Sequence, residues 1–224
     1  MQIAEITLLV NQLEPVTRFY HEILKFPVIE CTGTTVRLQC GSSVLSFQQE
    51  DKISSPYYHF AFNIAENKLD LAMDYLRQKG ISLNRTNESE VFYSESWDSH
   101  SIYFYDPAGN IVEFIARHRL PSKPGTTFST DDILNISEIG LPTSQVEALS
   151  DLLVHQLDEC VYISGDAVFT PIGDEEGLLI LTTLERQWLG SNKKVEIFPL
   201  KVQIDGKMVE LRNFLNLPYC LTTA

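Results

Sequence analysis

Basic residues are scarce in this chain: 17 Lys and Arg stand against 30 Asp and Glu, for a net charge of −13. A field of that sign repels a phosphate backbone, and no Lys/Arg stripe interleaved with aromatics offsets it, so nucleic acid is not expected as a partner. Long apolar runs are missing too, and no stretch reaches the eighteen or so residues of a membrane span. The opening Met1-Gln2-Ile3-Ala4-Glu5 lacks the basic start and apolar run of a secretion signal. A cytoplasmic protein without a membrane partner is expected. Cysteine is sparse, and Cys31, Cys40, Cys160 and Cys220 show no Cys-x-x-Cys spacing. If a hairpin turns at Gly33-Thr34, Cys31 and Cys40 lie too far apart along its strands for a disulfide, so buried inert thiols are expected. Without a secretory route the Asn-x-Ser/Thr matches at Asn84, Asn87 and Asn135 carry no meaning. The acidic clusters Asp131-Asp132 and Asp174-Glu175-Glu176 read as solvated loops.

What is present is an internal repeat. The 224 residues are 44% hydrophobic, enough for one large domain or two small ones with a real core. Residues 3–10 read as a strand; Asn11 and Glu14 are spaced as a capping box; Val16, Phe19, Tyr20, Ile23 and Leu24 then recur at helical intervals. Three short strand-like runs follow over 28–48, with Gly33 and Gly41 as turn residues, which makes the order β-α-β-β-β. The order recurs over 57–116: a strand, a helix bearing Leu69, Ala72, Met73 and Leu76, then strands ending in the turn Asp106-Pro107-Ala108-Gly109-Asn110 and the run 111–116. A segment of linker composition, 119–130, precedes a third, degenerate βαβββ module at 131–190, with Ser144 and Glu147 spaced to cap its helix. The tail, 191–224, offers strands at 195–204 and 207–211 around Asp205-Gly206, a hairpin turn. Three module-opening strands align: Glu5-Ile6-Thr7-Leu8, His59-Phe60-Ala61-Phe62 and Glu138-Ile139-Gly140-Leu141. The fold class is therefore α+β, built of repeated βαβββ modules. Modules one and two are expected to pair as a domain over 1–118, followed by the third module and the β-hairpin tail.

Three segments carry a family resemblance: Arg18-Phe19-Tyr20-His21-Glu22-Ile23-Leu24, the strand His59-Phe60-Ala61-Phe62, and the run from Ile102 to Phe114 with its Asp-Pro-x-Gly-Asn turn and closing Glu113. They resemble the vicinal-oxygen-chelate superfamily, which includes glyoxalase I, fosfomycin and bleomycin resistance proteins, methylmalonyl-CoA epimerase and extradiol dioxygenases. The likeness covers residues 1–118 well and 131–184 more weakly. It implies a metal held from the first and last strands of the modules. The matching positions are Glu5, His59 and Glu113; the last strand of module one offers only Leu45 or Ser46. One imidazole and two carboxylates suit Mn²⁺, Fe²⁺, Ni²⁺ or Zn²⁺ with open positions for a bidentate substrate. Glu138 occupies the corresponding place in module three, but Leu181 stands where its partner carboxylate would be. A relic, or a contact in a partner-built cavity, is expected there.

If Tyr105 faces Ile111 across the Asp-Pro turn, Tyr103 faces Glu113, where the resemblance implies an acid/base group. A plain sheet-face aromatic is the alternative. Trp97 and His100 are candidates for the cavity mouth. Two functions remain open: a metal-dependent lyase, isomerase or dioxygenase acting on a small molecule with vicinal oxygens, or a metal-free small-molecule binder of the bleomycin-resistance type. Because module three lacks a fourth partner, either the tail hairpin over 195–211 folds back to cover its sheet or a homodimer forms through residues 131–211, and the homodimer is the favoured expectation.

Overall fold

The computed structural model describes residues 1–86, 88–206 and 209–223. Asn87 and Lys207, the latter opening the second expected tail strand, lie outside the described residues. Module one comprises β1 (Gln2–Val10), α1 (Leu13–Thr17) widening into a π-helical stretch (Arg18–Ile23), β2 (Val28–Cys31), β3 (Thr35–Cys40) and β4 (Ser43–Gln49). The helix buries Val16, Phe19, Tyr20 and Leu24, so the apolar spacing sets its inward face. The expected capping box does not form: Asn11 Nδ2 donates instead to the carbonyls of Glu50 and Ile53, which ties down the loop after β4. Module two has β5 (His59–Ile64), α2 (Leu69–Gln78), β6 (Phe92–Ser94), β7 (Ser99–Tyr105) and β8 (Ile111–Arg117). Module three has β9 (Ile133–Pro142), α3 (Val146–Leu157), β10 (Phe169–Asp174) and β11 (Gly177–Thr182). The N-cap of α3 is Gln145, and it makes no side-chain cap.

The tail is not a hairpin. β12 (Leu200–Asp205) pairs in parallel with β14 (Tyr219–Thr223), and β13 (Glu210–Arg212) joins the far side of β14. Both edges of β12 are occupied, by β14 and β1, so β13 has no edge of β12 to join. This is a reduced fourth module, with opening strand parallel to last strand as in β1–β4, β5–β8 and β9–β11. Only four residues of sequence, 206–209, separate β12 from β13, where the other modules carry their helix.

Pairing between modules also differs from expectation. Modules one and two do not close on each other. β5 runs antiparallel to β9, joining modules two and three, while β1 runs antiparallel to β12, joining module one to the tail. A single register pair, Ile3 with Ile136, links the halves into a 14-stranded sheet. Each module opens on a strand with one free edge, and hydrophobic alternation does not say which other opening strand will take it. Among the described residues β9 is paired on both sides within the chain, by β5 and β11, while β10, among the strands, pairs with β11 alone and keeps an outer edge. The segment 119–130 is anchored, because buried Lys68 donates to the carbonyls of Pro124, Gly125 and Thr127 and pairs with Asp132 at 3.6 Å. Asp132 is accordingly buried rather than solvated.

All four cysteines are free, but only Cys40 is buried; Cys31 lies on the outer strand β2 and Cys160 in the exposed loop after α3. Among the described residues no helix is long and apolar enough to cross a membrane. The two faces of the β5–β8–β7 region diverge. Phe62, Phe104, Val112 and Phe114 enter the large helix-covered core. Tyr103, Ile111, Leu178, Ile180, Trp188 and Val195 form a separate cluster on the concave side.

Candidate metal centre

One row of the sheet builds the site. β8 sets Glu113 beside Ala61, and β9 sets Glu138 beside the same Ala61 from the other side. β7 adds Tyr103 opposite Glu113. Successive residues alternate faces, so His59, two positions before Ala61, shares the row's face. The Ala61 methyl leaves the middle of the row open, and the imidazole reaches into that gap. His59 Nε2 lies 3.5 Å from Glu113 Oε2 and 3.9 Å from Glu138 Oε2. His59 Nδ1 lies 3.2 Å from the Ile111 carbonyl, which can only accept, so in the neutral ring Nδ1 carries the proton and Nε2 the lone pair. One donor atom from each of His59, Glu113 and Glu138 falls within 4.8 Å of the others, and all three residues are buried.

The charges here are expensive alone. Burial, then repulsion from Glu138, pushes the Glu113 carboxyl up to about 7, against the pull of His59 and hydrogen bonds involving Ser101 and Tyr103. Burial disfavours protonation of His59, but the nearby Glu138 and Glu113 carboxylates outweigh this and raise its pKa. Tyr103 is raised well above its ordinary value by burial and by Glu113 and Glu138, so its hydroxyl keeps its proton at neutral pH. Arg117, 1% exposed, compensates in part: Nη2 donates to Glu138 Oε1 at 2.6 Å and to Ser137 at 3.2 Å, while Nε donates to Asn63. Its Nη1 is the one buried side-chain polar atom without a hydrogen-bond partner among the described residues. Two carboxylates against one guanidinium leave a net negative pocket beside a lone-pair nitrogen. That donor set fits a divalent ion of intermediate hardness.

Above the row lies a cavity of about 410 Å³, walled by Trp97, Phe92, Phe169 and Ile180, with Arg186 at its lining. The segment between β11 and β12 covers one side, placing the Trp188 ring 5.0 Å from that of His59. Two glycines permit this. A Cβ at Gly140 would fall 2.4 Å from the Trp188 ring, and one at Gly190, where φ is +67°, would fall 2.2 Å from the Tyr103 ring.

Of the expected ligands, His59 and Glu113 come together and Glu5 does not. Glu5 belongs to the other half of the sheet, on β1, where Arg37 donates to its carboxylate at 2.7 and 3.2 Å and Ser46 at 2.5 Å. β9 stands between β1 and β5, so the third carboxylate is Glu138. Its readable signal was the alignment of Glu138 with His59 at the head of a module. The register Gly140–Ile180 makes Ile180, not Leu181, the residue matching Glu113 in module three. Trp97 lines the cavity, whereas His100 points to the opposite face. Arg117 was missed; its one cue was a cation four residues beyond Glu113, on the same face of β8.

The family model described as Glyoxalase/Bleomycin resistance protein/Dioxygenase superfamily matches residues 2–114, module one and module two as far as the middle of β8. The chain belongs to this superfamily. The glutathione transferase FosA of Serratia marcescens is 28% identical over 135 residues, 57% of this chain and 94% of that protein. A metallothiol transferase FosB from Staphylococcus epidermidis is 28% identical over 109 residues, 46% of this chain and 73% of that one. Among solved structures, a Bacillus subtilis protein provisionally designated a dioxygenase superposes with a TM-score of 0.64 at 14% identity, covering 92% of this chain and 70% of that one. A glyoxalase I variant from Zea mays gives a TM-score of 0.59 at 14% identity, over 90% of this chain and 74% of that one. These two likenesses concern the fold, and they extend across all four modules of the present chain.

Proposed function

We propose that the chain is a divalent-metal-dependent enzyme acting on a small molecule that offers two adjacent oxygens. The observation carrying this reading is the convergence of His59 Nε2, Glu113 and Glu138 at the floor of an aromatic-walled cavity. These three residues would hold Mn²⁺, Fe²⁺, Ni²⁺ or Zn²⁺. When bound, the ion would act as a Lewis acid that polarises the substrate oxygens. The chain's own groups have defined parts. Tyr103 keeps its proton beside Glu113 and serves as a hydrogen-bond donor or general acid towards a bound oxygen. Arg117 occupies Oε1 of Glu138 and leaves Oε2 facing His59. Trp97, Phe169 and Trp188 exclude water from one face of the substrate. The relatives FosA, a glutathione transferase, and FosB, a metallothiol transferase, add thiol transfer to the lyase, isomerase and dioxygenase chemistries the family offers.

The metal-free binder is retained as a second reading because His59, Arg117 and the two carboxylates already satisfy one another in part. Elemental analysis of tag-free protein purified without chelator separates the two. Stoichiometric transition metal, lost in Glu113→Gln and in Glu138→Gln, supports the enzyme; no metal even after reconstitution supports the binder. Metal content unaffected by Glu138→Gln would remove Glu138 from the site.

A further inference from the structure

β7 and β8 carry a second cluster of ligating side chains, on the sheet face opposite the cavity. His100 lies across from Ala116, which makes His118, two residues further along, its diagonal neighbour on that face. The two imidazoles meet: His100 Nδ1 and His118 Nε2 are 2.8 Å apart. Asp98 Oδ1 lies 2.8 Å from His118 Nδ1, and the main-chain N–H of His118 donates to the Asp98 carbonyl at 2.9 Å, pinning the turn to the strand end. With Asp98 taking the Nδ1 proton, His118 presents a lone pair from Nε2. Tyr93 lies over both rings, 4.7 Å from that of His100 and 6.5 Å from that of His118, and holds them side by side. Both histidines open on a recess of about 420 Å³ whose rim includes Glu66 and Asp70.

Two imidazole nitrogens at this separation lie close to adjacent corners of a transition-metal shell: bonds of about 2.0–2.1 Å put the nitrogens roughly 2.9 Å apart at the right angles of tetragonal Cu²⁺ or Ni²⁺ and roughly 3.3 Å apart in tetrahedral Zn²⁺, which a small opening of the pair supplies. The carboxylate behind His118 is the outer-shell partner commonly found behind a ligating histidine. We propose that His100 and His118 form a second divalent-metal site, taking Cu²⁺, Ni²⁺ or Zn²⁺, with Asp98 orienting His118 and Glu66 and Asp70 supplying an acidic rim. Without the ion, the two nitrogens share a proton. The ion takes that proton's place, and the rings tilt about their Cβ–Cγ bonds until both lone pairs meet it. Imidazole ligands select these borderline ions over Mg²⁺ or Ca²⁺. The site stands independently of the buried centre, and its residues take no part there.

The test is calorimetric titration of the full chain, stripped with chelator, with Cu²⁺ and with Zn²⁺. It is run in a Glu113→Gln/Glu138→Gln background so that the buried centre does not contribute. One equivalent is expected to remain, and adding His118→Ala or His100→Gln should weaken it at least tenfold. Electron paramagnetic resonance of the Cu²⁺ form should show two coupled nitrogens, reduced to one in either histidine variant. Identical isotherms with and without His118→Ala, or an unchanged nitrogen count, would overturn the proposal. Should the doubly substituted background fail to fold, His118→Ala in the otherwise natural chain provides the same decision. Bound Zn²⁺ after gel filtration should fall by one equivalent, and an unchanged content would refute the site.

Discussion

Arg117 Nη2 holds one oxygen of Glu138 at 2.6 Å, and the other oxygen, Oε2, faces His59 Nε2 at 3.9 Å. Both partners are buried, and the guanidinium packs near the Trp97 and Tyr162 rings at 5.3 and 5.9 Å. In the proposed centre Arg117 would thereby decide which oxygen of Glu138 is free to ligate. Arg117→Met leaves a buried carboxylate uncompensated, a loss of about 3–5 kcal/mol by comparison with other broken buried pairs. It should also weaken metal binding by roughly 10–100-fold, as expected on losing an outer-shell partner. Lysine at 117 restores the charge without the planar fork and should recover only part of the affinity. Urea unfolding and metal titration of both variants are the measurements, and wild-type affinity in Arg117→Met would show that Glu138 does not depend on this contact.

Ala61 is small for a reason that lies in the row it occupies. It stands between Glu113 and Glu138, and the gap above its methyl is where the His59 imidazole approaches both. Ala61→Val places two further methyl groups' worth of bulk towards that gap. Overpacking of this kind costs about 1–3 kcal/mol, and here it should also separate the ligands and lower metal affinity at least tenfold. Ala61→Gly, which keeps the space, should retain metal while losing some stability. Equal metal affinity in the valine and glycine variants would mean that the gap is not the ion's place.

The pH dependence follows from the two raised groups. Glu113 moves from an ordinary 4.5 up to about 7, and His59 moves up from 6.5. A group whose folded pKa is raised binds its proton more tightly in the folded state. Its stabilisation is complete below the unfolded pKa and is lost as pH rises through the folded one. The metal-free protein should therefore lose stability as pH rises from 4.5 through about 7 as Glu113 ionises, with a further loss above 6.5 as His59 gives up its proton, and Glu113→Gln should flatten the first part of that slope. A divalent ion competes with the same protons, so its stabilising effect should grow over the same interval. Thermal melts with chelator and with added Zn²⁺ at several pH values test this; parallel pH profiles for the two conditions would exclude metal–proton competition at this site.

The modules were legible and their pairing was not, for separable physical reasons. Helix faces such as Val16–Phe19–Tyr20 and the strand alternation around His59 are local, recorded in spacing alone. His59 and Glu113 were recognisable because both lie in one module, within one contiguous parallel pairing. Glu138 needed knowledge of which opening strand fills the free edge of β5, a choice among β1, β9 and β12 that depends on the whole assembled sheet. The same choice misplaced Glu5, whose carboxylate serves Arg37 and Ser46. The tail read as a hairpin because Asp205-Gly206 is good turn chemistry. The alternating burial of Leu200, Val202 and Ile204 was equally compatible with a strand taken up by two distant neighbours.

That re-pairing bears on assembly. β12 covers the edge of β1 through a register from Gln2–Asp205 to Leu8–Leu200, and Leu200, Val202 and Ile204 are all buried there. With β9 paired to β5 as well, neither opening-strand edge is left to template a second copy. The full chain should therefore sediment as a monomer at micromolar concentration. Removing residues 191–224 strips β12 and β14 together, exposing the backbone edge of β1 and the apolar side chains that Tyr219 and Leu221 help bury. The 1–190 fragment should self-associate or lose its cooperative melt, while the buried histidine–carboxylate row, made only of β5, β8 and β9, remains encoded within it. Sedimentation velocity and thermal unfolding of both lengths decide the matter. A monomeric 1–190 fragment with an unchanged melting temperature would mean that the tail strands contribute nothing to the sheet, and a dimeric full chain would show that some surface other than the β1 and β9 edges mediates association.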